Sequence, residues 1–205
     1  MGVSPVDTTW IDRAVSAHQE TVARFARDNA AALAEAAQWL VETLESGGTV
    51  FFFGNGGSAA DAQHLAAELV NRFRAERRAL RALALTTDTS VLTSVANDAD
   101  YRQVFARQIE ALGRPGDLAV GITTSGRSPS VVEGLQAARR LGMRTLGLLG
   151  RSGGEARALC DRALVVVADD TARIQETHLL IGHLLCEWVD QRLSGPTEEL
   201  RARHD

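Results

Sequence analysis

His64 and Glu68 stand four residues apart, so a helix through them presents an imidazole and a carboxylate on one face. Such a pair can take and give protons beside a bound molecule. Just before them the apolar run Val50-Phe51-Phe52-Phe53 stops at Gly54-Asn55-Gly56-Gly57-Ser58. A buried strand that ends in glycines lets backbone N–H groups approach an anion, and the helix that follows adds the positive end of its dipole. The spacing therefore predicts a phosphate cradle beside an acid/base pair.

A second chemical segment runs from Gly121 to Ser130 and is dense in hydroxyls: Thr123, Thr124, Ser125, Ser128 and Ser130. Ser128 followed by Pro129 reads as a helix N-cap and first-turn pair. That capping role leaves Thr123, Thr124 and Ser125 at the carboxyl end of a strand, where open α/β sheets bind ligands. A third cluster, Arg173-Ile174-Gln175-Glu176 with His183, falls on the last helical pattern. Gln175 and His183 lie a little over two helical turns apart and differ in direction by about 80°, so both can border one pocket. Taken alone, a helix histidine is more often structural than catalytic; His178 and His204 are left as structural or solvent-exposed.

These groups need a scaffold that brings strand ends together. Residues from about 9 to 46 carry apolar positions at helical spacing, including Ile11, Val15, Phe25, Leu33, Leu40 and Leu44, and predict two long helices. Five short apolar segments follow, near Thr49–Phe53, Ala82–Leu85, Leu118–Ile122, Thr145–Leu149 and Ala163–Val167. Such strands, mostly separated by helical patterns, belong to a parallel sheet covered on both faces. The final helix, from about Ala172 to Leu193, is apolar around more of its circumference than one sheet face can cover, which points to packing between subunits. Gly195-Pro196 ends the fold, leaving a charged tail at 196–205.

Composition excludes several classes. The 205 residues suit one globular domain, expected over 1–195, and a net charge of −4 offers no attraction for a nucleic acid backbone. No apolar run approaches the ~20 residues of a membrane helix, and the N-terminus lacks a signal-peptide core, so a soluble cytoplasmic protein is expected. Cys160 and Cys186 read as buried free thiols. The run Arg72, Arg74, Arg77, Arg78 and Arg81 reads mainly as a solvated face, with Arg72 its best candidate for function.

Taken together, Gly54-Asn55-Gly56-Gly57-Ser58, the His64/Glu68 pair, Asn97-Asp98, Thr124-Ser125-Gly126-x-Ser128, Arg173-Ile174-Gln175-Glu176 and His183 resemble the phosphoheptose isomerase family of sugar isomerase (SIS) domains. The resemblance covers nearly the whole chain. It implies a three-layer α/β sandwich around a five-stranded parallel sheet, assembled as a homotetramer with active sites between subunits. It implies isomerisation of sedoheptulose 7-phosphate to an aldoheptose 7-phosphate, with Glu68 as base and His183 as partner acid, or as an aid to ring opening. Asn55, Gly56, Gly57, Ser58, Glu68, Asn97, Asp98, Thr123, Thr124, Ser125, Ser128 and Gln175 would bind substrate. Some relatives hold zinc at the positions matching His64, Glu68, Gln175 and His183.

Two positions depart from the common Ser-Thr-Ser-Gly-Asn-Ser loop: Thr123 keeps the first hydroxyl, and Arg127 replaces the asparagine. They put substrate preference in doubt. The chain also resembles the non-enzymatic SIS protein that binds the replication initiator, notably over Ala59–Ala67 and at Phe73. That relative lacks the carboxylate and imidazole matching Glu68 and His183, which this chain retains. A sugar-phosphate sensor, or an isomerase of a shorter sugar phosphate, is compatible with the same fold.

Overall fold

The computed structural model describes residues 7–194. The tail at 196–205 and His204 lie outside them. Five strands form one fully parallel sheet in the order β2-β1-β3-β4-β5: β1 (Val50–Gly54), β2 (Ala82–Ala84), β3 (Leu118–Thr123), β4 (Arg144–Gly150) and β5 (Arg162–Val166). Each expected apolar segment becomes a strand, shifted by no more than one residue at either end. The register pairs Phe51 with Ala119 and Phe53 with Gly121, and Ile122 with Leu148.

Alternation along the strands divides the core in two, because successive side chains point to opposite faces. Val50, Phe52, Leu118, Val120, Ile122 and Leu148 pack on one face against α1 (Thr9–Glu45), α2 (Gly57–Val70) and α6 (Thr171–Leu193). Phe51, Phe53, Ala119 and Leu149 pack on the other face, against α4 (Ala106–Leu112) and α5 (Pro129–Arg140), with α3 (Thr89–Asp98) flanking them. The result is the expected three-layer sandwich. Asp88 and Asp170 cap α3 and α6 by accepting hydrogen bonds from Val91 N at 3.0 Å and Ala172 N at 2.8 Å.

The N-terminal region corrects one expectation. It is a single helix of 37 residues, about 55 Å long, and not two. Nothing between Arg27 and Leu33 is glycine or proline, and Asn29 turns its amide back to the Phe25 carbonyl at 3.2 Å, so the turn signal it could have given is absorbed within the helix. The buried residues of α1 all lie from Phe25 onward, while Trp10 is 58%, Ile11 42% and Val15 49% exposed. The first half of α1 thus extends beyond the sheet and touches α6 through His18, bonded to Glu176 at 2.8 Å, and Ala14 O, which accepts from Arg173 at 2.7 Å.

Three remaining sequence expectations resolve here. His178 is fully buried on α6, and burial pulls it down to about 4 against the pull of the Leu149 carbonyl, so the ring is a neutral core group. Cys186 is buried as expected, whereas Cys160 is only half-buried; burial pushes both thiols up to about 12, which leaves them unreactive. No helix among the described residues is long and apolar enough to cross a membrane.

The contact that matters most for the site is the crossing of α2 and α6. At Gly182 a Cβ would come within 2.4 Å of Leu65, which is itself buried. The missing side chain is what lets the two helices approach, and His64 and His183 are the next residues along each. Gly182→Ala should therefore destabilise the fold by about 1–3 kcal/mol in chemical denaturation and reduce activity by more than that loss of folded protein explains.

Candidate active site

Strand β1 delivers the cradle and α2 carries the reactive side chains away from it. At Gly57, the first residue of α2, a Cβ would sit 2.3 Å from the Gln175 amide nitrogen. Glycine at this point lets α6 lay Gln175 directly on the cradle. Ser58 is buried beneath the turn, its N–H bonded to the Asn55 carbonyl at 3.0 Å.

About two turns and three turns further along α2, His64 and Glu68 meet the side chain of α6 that the sequence placed with them. His64 Nε2 lies 2.8 Å from His183 Nε2 and 3.6 Å from Glu68 Oε1. The two rings meet edge to face, with centroids 5.1 Å apart. Since the two nitrogens share one hydrogen bond, one of them carries the proton and the other accepts it. Burial holds His183 below its usual range, and the positive charges of His64 and Arg74 lower it further while Glu68 opposes them. His183 is therefore neutral at neutral pH.

The opposite wall is the hydroxyl loop after β3. Thr123 Oγ1 is 3.3 Å from Ser125 Oγ, which accepts from the Arg127 N–H at 3.1 Å. Ser128 occupies the N-cap position of α5, with Pro129 in the first turn, but makes no side-chain cap bond. Its hydroxyl is instead taken by Asn55, whose Nδ2 donates to Ser128 Oγ at 2.7 Å and to Ser130 Oγ at 2.9 Å. Asn55 thus ties the cradle to the hydroxyl loop, and Thr124, Ser125 and Arg127 remain at the surface around it.

Asn97 and Asp98 are exposed at the end of α3, bonded to each other at 2.8 Å, and no hydrogen bond among the described residues joins them to the cradle. Arg72 is likewise exposed and pairs with Glu76 one turn on. Its neighbour Arg77 overturns the solvated reading of that run: its side chain is completely buried and holds Asp190 at 2.8 Å.

Sequence reasoning passed over several of the residues that build this site. Asp61 is buried on the α2 face that bears His64 and Glu68, and one of its carboxylate oxygens has no hydrogen-bond partner among the described residues. Burial raises its pKa, opposed by Gln175 and His64. Its spacing of three residues before His64 was the available signal. Phe73, singled out in the sequence only for its likeness to the non-enzymatic SIS protein, packs on His183 with ring centroids 5.4 Å apart. Asp190, Arg77 and Tyr101 carried no local signal, because their partners lie far away in sequence.

Asp190 and Arg77 fix the far end of both catalytic helices. Asp190 Oδ2 accepts from the N–H groups of Arg74 and Ala75 at 2.7 and 2.8 Å, which holds Phe73 against His183. Arg77 donates to the carbonyls of Glu68 at 2.7 Å and Leu69 at 2.9 Å, capping the end of α2.

The comparisons with known proteins bear directly on this arrangement. The family model for the SIS domain matches residues 15–150. The phosphoheptose isomerase of Paramagnetospirillum magneticum is 54% identical over 182 residues, covering 89% of this chain and 95% of that protein. The chain belongs to the phosphoheptose isomerase family of SIS domains. Among solved structures, the phosphoheptose isomerase of Neisseria gonorrhoeae superposes with a TM-score of 0.79 at 40% identity over 88% of this chain and 99% of that one. The phosphoheptose isomerase of Francisella tularensis gives 0.84 at 36% identity over 91% of this chain and all of that one, 100%. The family model ends before α6, whereas the two solved structures cover 88% and 91% of the chain.

The Arg77–Asp190 clasp yields a stability prediction. Burial alone would raise the Asp190 carboxyl, but the hydrogen bonds from Ala75, Arg74 and Arg77 outweigh it and hold it below the usual carboxylate range. Its contribution is present above the unfolded carboxylate pKa of about 3.9 and is lost as the pH falls through the lower folded value. Asp190→Asn leaves the Arg77 charge buried without its partner and should cost about 3–5 kcal/mol in urea denaturation at neutral pH. The deficit should shrink in acid; an unchanged deficit below pH 3 would show that the charge is not what matters.

Proposed function

We propose that the chain isomerises sedoheptulose 7-phosphate to D-glycero-D-manno-heptose 7-phosphate, in heptose biosynthesis, with Glu68 and His183 as its proton-transfer pair. The observation that carries this assignment is the convergence of two helices: α2 brings Glu68 and α6 brings His183 to one place, while Gln175 of α6 rests on the glycine cradle. The cradle and the hydroxyl loop would hold the 7-phosphate, which leaves the first two carbons of the sugar to face the acid/base pair.

Ketose–aldose interconversion moves one proton between adjacent carbons. Glu68 removes a proton from C1, and His183 donates one to the C2 carbonyl oxygen, which gives the enediol. Return of the proton from Glu68 to C2, with His183 taking the proton from the C1 hydroxyl, gives the aldehyde. A neutral imidazole suits this exchange because it gives a proton as Glu68 takes one, so the site would carry a single negative charge throughout. Asn55, Ser58, Thr123, Thr124, Ser125 and Ser128 would orient the substrate, with Asn97 and Asp98 at the rim.

Zinc is a further proposal. Among the described residues no three histidine, cysteine, aspartate or glutamate side chains stand in a finished metal-holding group. The donors are nonetheless of the right kind, since His64 and His183 present facing imidazole nitrogens 2.8 Å apart with the Glu68 carboxylate beside them. His64, Glu68, Gln175 and His183 would hold the ion. Bound there, it supplies a Lewis acid next to the sugar oxygens and a link between α2 and α6.

We also propose a homotetramer with active sites between subunits. The exposed Trp10, Ile11 and Val15 on the projecting half of α1 suit burial against another copy. The reaction is assigned to the cytoplasm, because a phosphorylated sugar carries charge that keeps it from crossing a lipid bilayer.

Following aldose phosphate formation from sedoheptulose 7-phosphate by NMR tests the function. Glu68→Gln and His183→Ala should each lower kcat by roughly 10²–10⁴-fold with the fold unchanged; a folded wild type without turnover would return the scaffold or sensor as the better account. For the metal, added zinc should raise the melting temperature of the wild type and leave that of a His64→Gln/His183→Ala double variant unmoved. A wild type whose melting temperature ignores zinc would remove the metal site.

A further inference from the structure

The geometry points to Tyr101 as a positioning residue that sets the direction of the hydrogen bonds in the phosphate site. Tyr101 lies in a single turn of 3-10 helix at Tyr101–Gln103, after α3, and its ring is 53% exposed. Its hydroxyl nevertheless reaches across to Asn55, donating to Oδ1 at 2.8 Å. With the amide oxygen so occupied, the amide nitrogen faces the other way and spends its hydrogens on Ser128 Oγ at 2.7 Å and Ser130 Oγ at 2.9 Å.

The consequence concerns where the serine protons go. A hydroxyl has one hydrogen to give and two lone pairs to receive with. Because Asn55 donates to both serines, each accepts from the amide and keeps its own hydrogen for another acceptor. For Ser128 that acceptor would be an anion placed at the loop, since Asn55 and Ser130 lie within reach of its oxygen and leave its hydrogen to point outward. Ser130 is buried and lies 3.4 Å from Ser128 Oγ, so its hydrogen can be passed to Ser128 and reinforce the same direction.

Were the Asn55 amide turned over, its oxygen would accept from the serines and draw their hydrogens away from the phosphate. Tyr101 opposes this while its hydroxyl is present, because a phenol O–H donates more strongly than its oxygen accepts. The ring itself is largely at the surface, so the hydroxyl acts through Asn55 and not through packing. This inference rests on the phosphosugar assignment above for its substrate, though not for its anion chemistry.

The test is a double-mutant cycle read by calorimetric titration of inorganic phosphate and by KM for sedoheptulose 7-phosphate. Tyr101→Phe should weaken phosphate binding roughly three- to tenfold, the worth of one neutral hydrogen bond, and should raise KM by more than it lowers kcat. In an Asn55→Ala background the same substitution should change neither quantity, because the path to the serines is already cut. An equal loss in both backgrounds, or no loss beside the native Asn55, overturns the proposal. If the wild type turns over no heptose phosphate, the isomerase assignment falls, while the phosphate titration still decides the role of Tyr101.

Discussion

The site depends on one buried ion pair. Arg77 and Asp190 are almost wholly out of solvent, which is costly unless each charge is paired and its remaining hydrogen-bonding capacity is filled. Here nearly every such capacity is filled by backbone. The guanidinium takes carbonyls at the end of α2, and the carboxylate takes N–H groups of the loop that follows it. A single interaction therefore ends the helix of Glu68, binds it to the helix of His183, and lays Phe73 on the histidine ring. Replacing the pair by apolar side chains could fill the volume but could not perform all three tasks.

Distance between phosphate and chemistry is the second organising feature. The proposed anion-holding groups come from the ends of β1 and β3, whereas the proposed proton-transfer groups come from α2 and α6. Binding energy gained at a remote phosphate can be spent on orienting the reacting carbons, but only if the two regions are rigidly joined. One contact joins them directly: Gln175 of α6 rests on Gly57, where any side chain would collide with it, while Asn55 ties the two strand-end loops to each other. The glycine is thus as much a joint between two layers as an approach for an anion.

Much of this was legible in the sequence because it is written in short-range patterns. Continuous apolar runs ending in glycine or hydroxyl residues marked the strands and their functional ends, and the four-residue spacing of His64 and Glu68 marked the reactive face. What escaped was carried by pairs far apart in the chain. Arg77 and Asp190 are 113 residues apart, and Arg77 sits in an arginine run that looks solvated from composition alone. Tyr101 and Asn55 are 46 apart. Ser128 misled in a different way: its capping position was right, but tertiary contact diverted its hydroxyl to Asn55. The continuity of α1 was missed although no glycine or proline lies between Thr9 and Glu45.

Charge explains why an acid and a base can work side by side here. Glu68 is half-buried and serves as base only while ionised, so a neighbouring imidazolium would bind its charge and blunt it. The facing rings of His64 and His183 disfavour charging both at once, since two N–H groups 2.8 Å apart would repel. Burial of His183 pushes in the same direction. His183 is thus the ring held neutral, and it shares one hydrogen bond with His64. In the proposed reaction the carboxylate would take the proton from carbon as the ring supplies the one for oxygen, so one negative charge would pass from Glu68 to the ring and no second would arise.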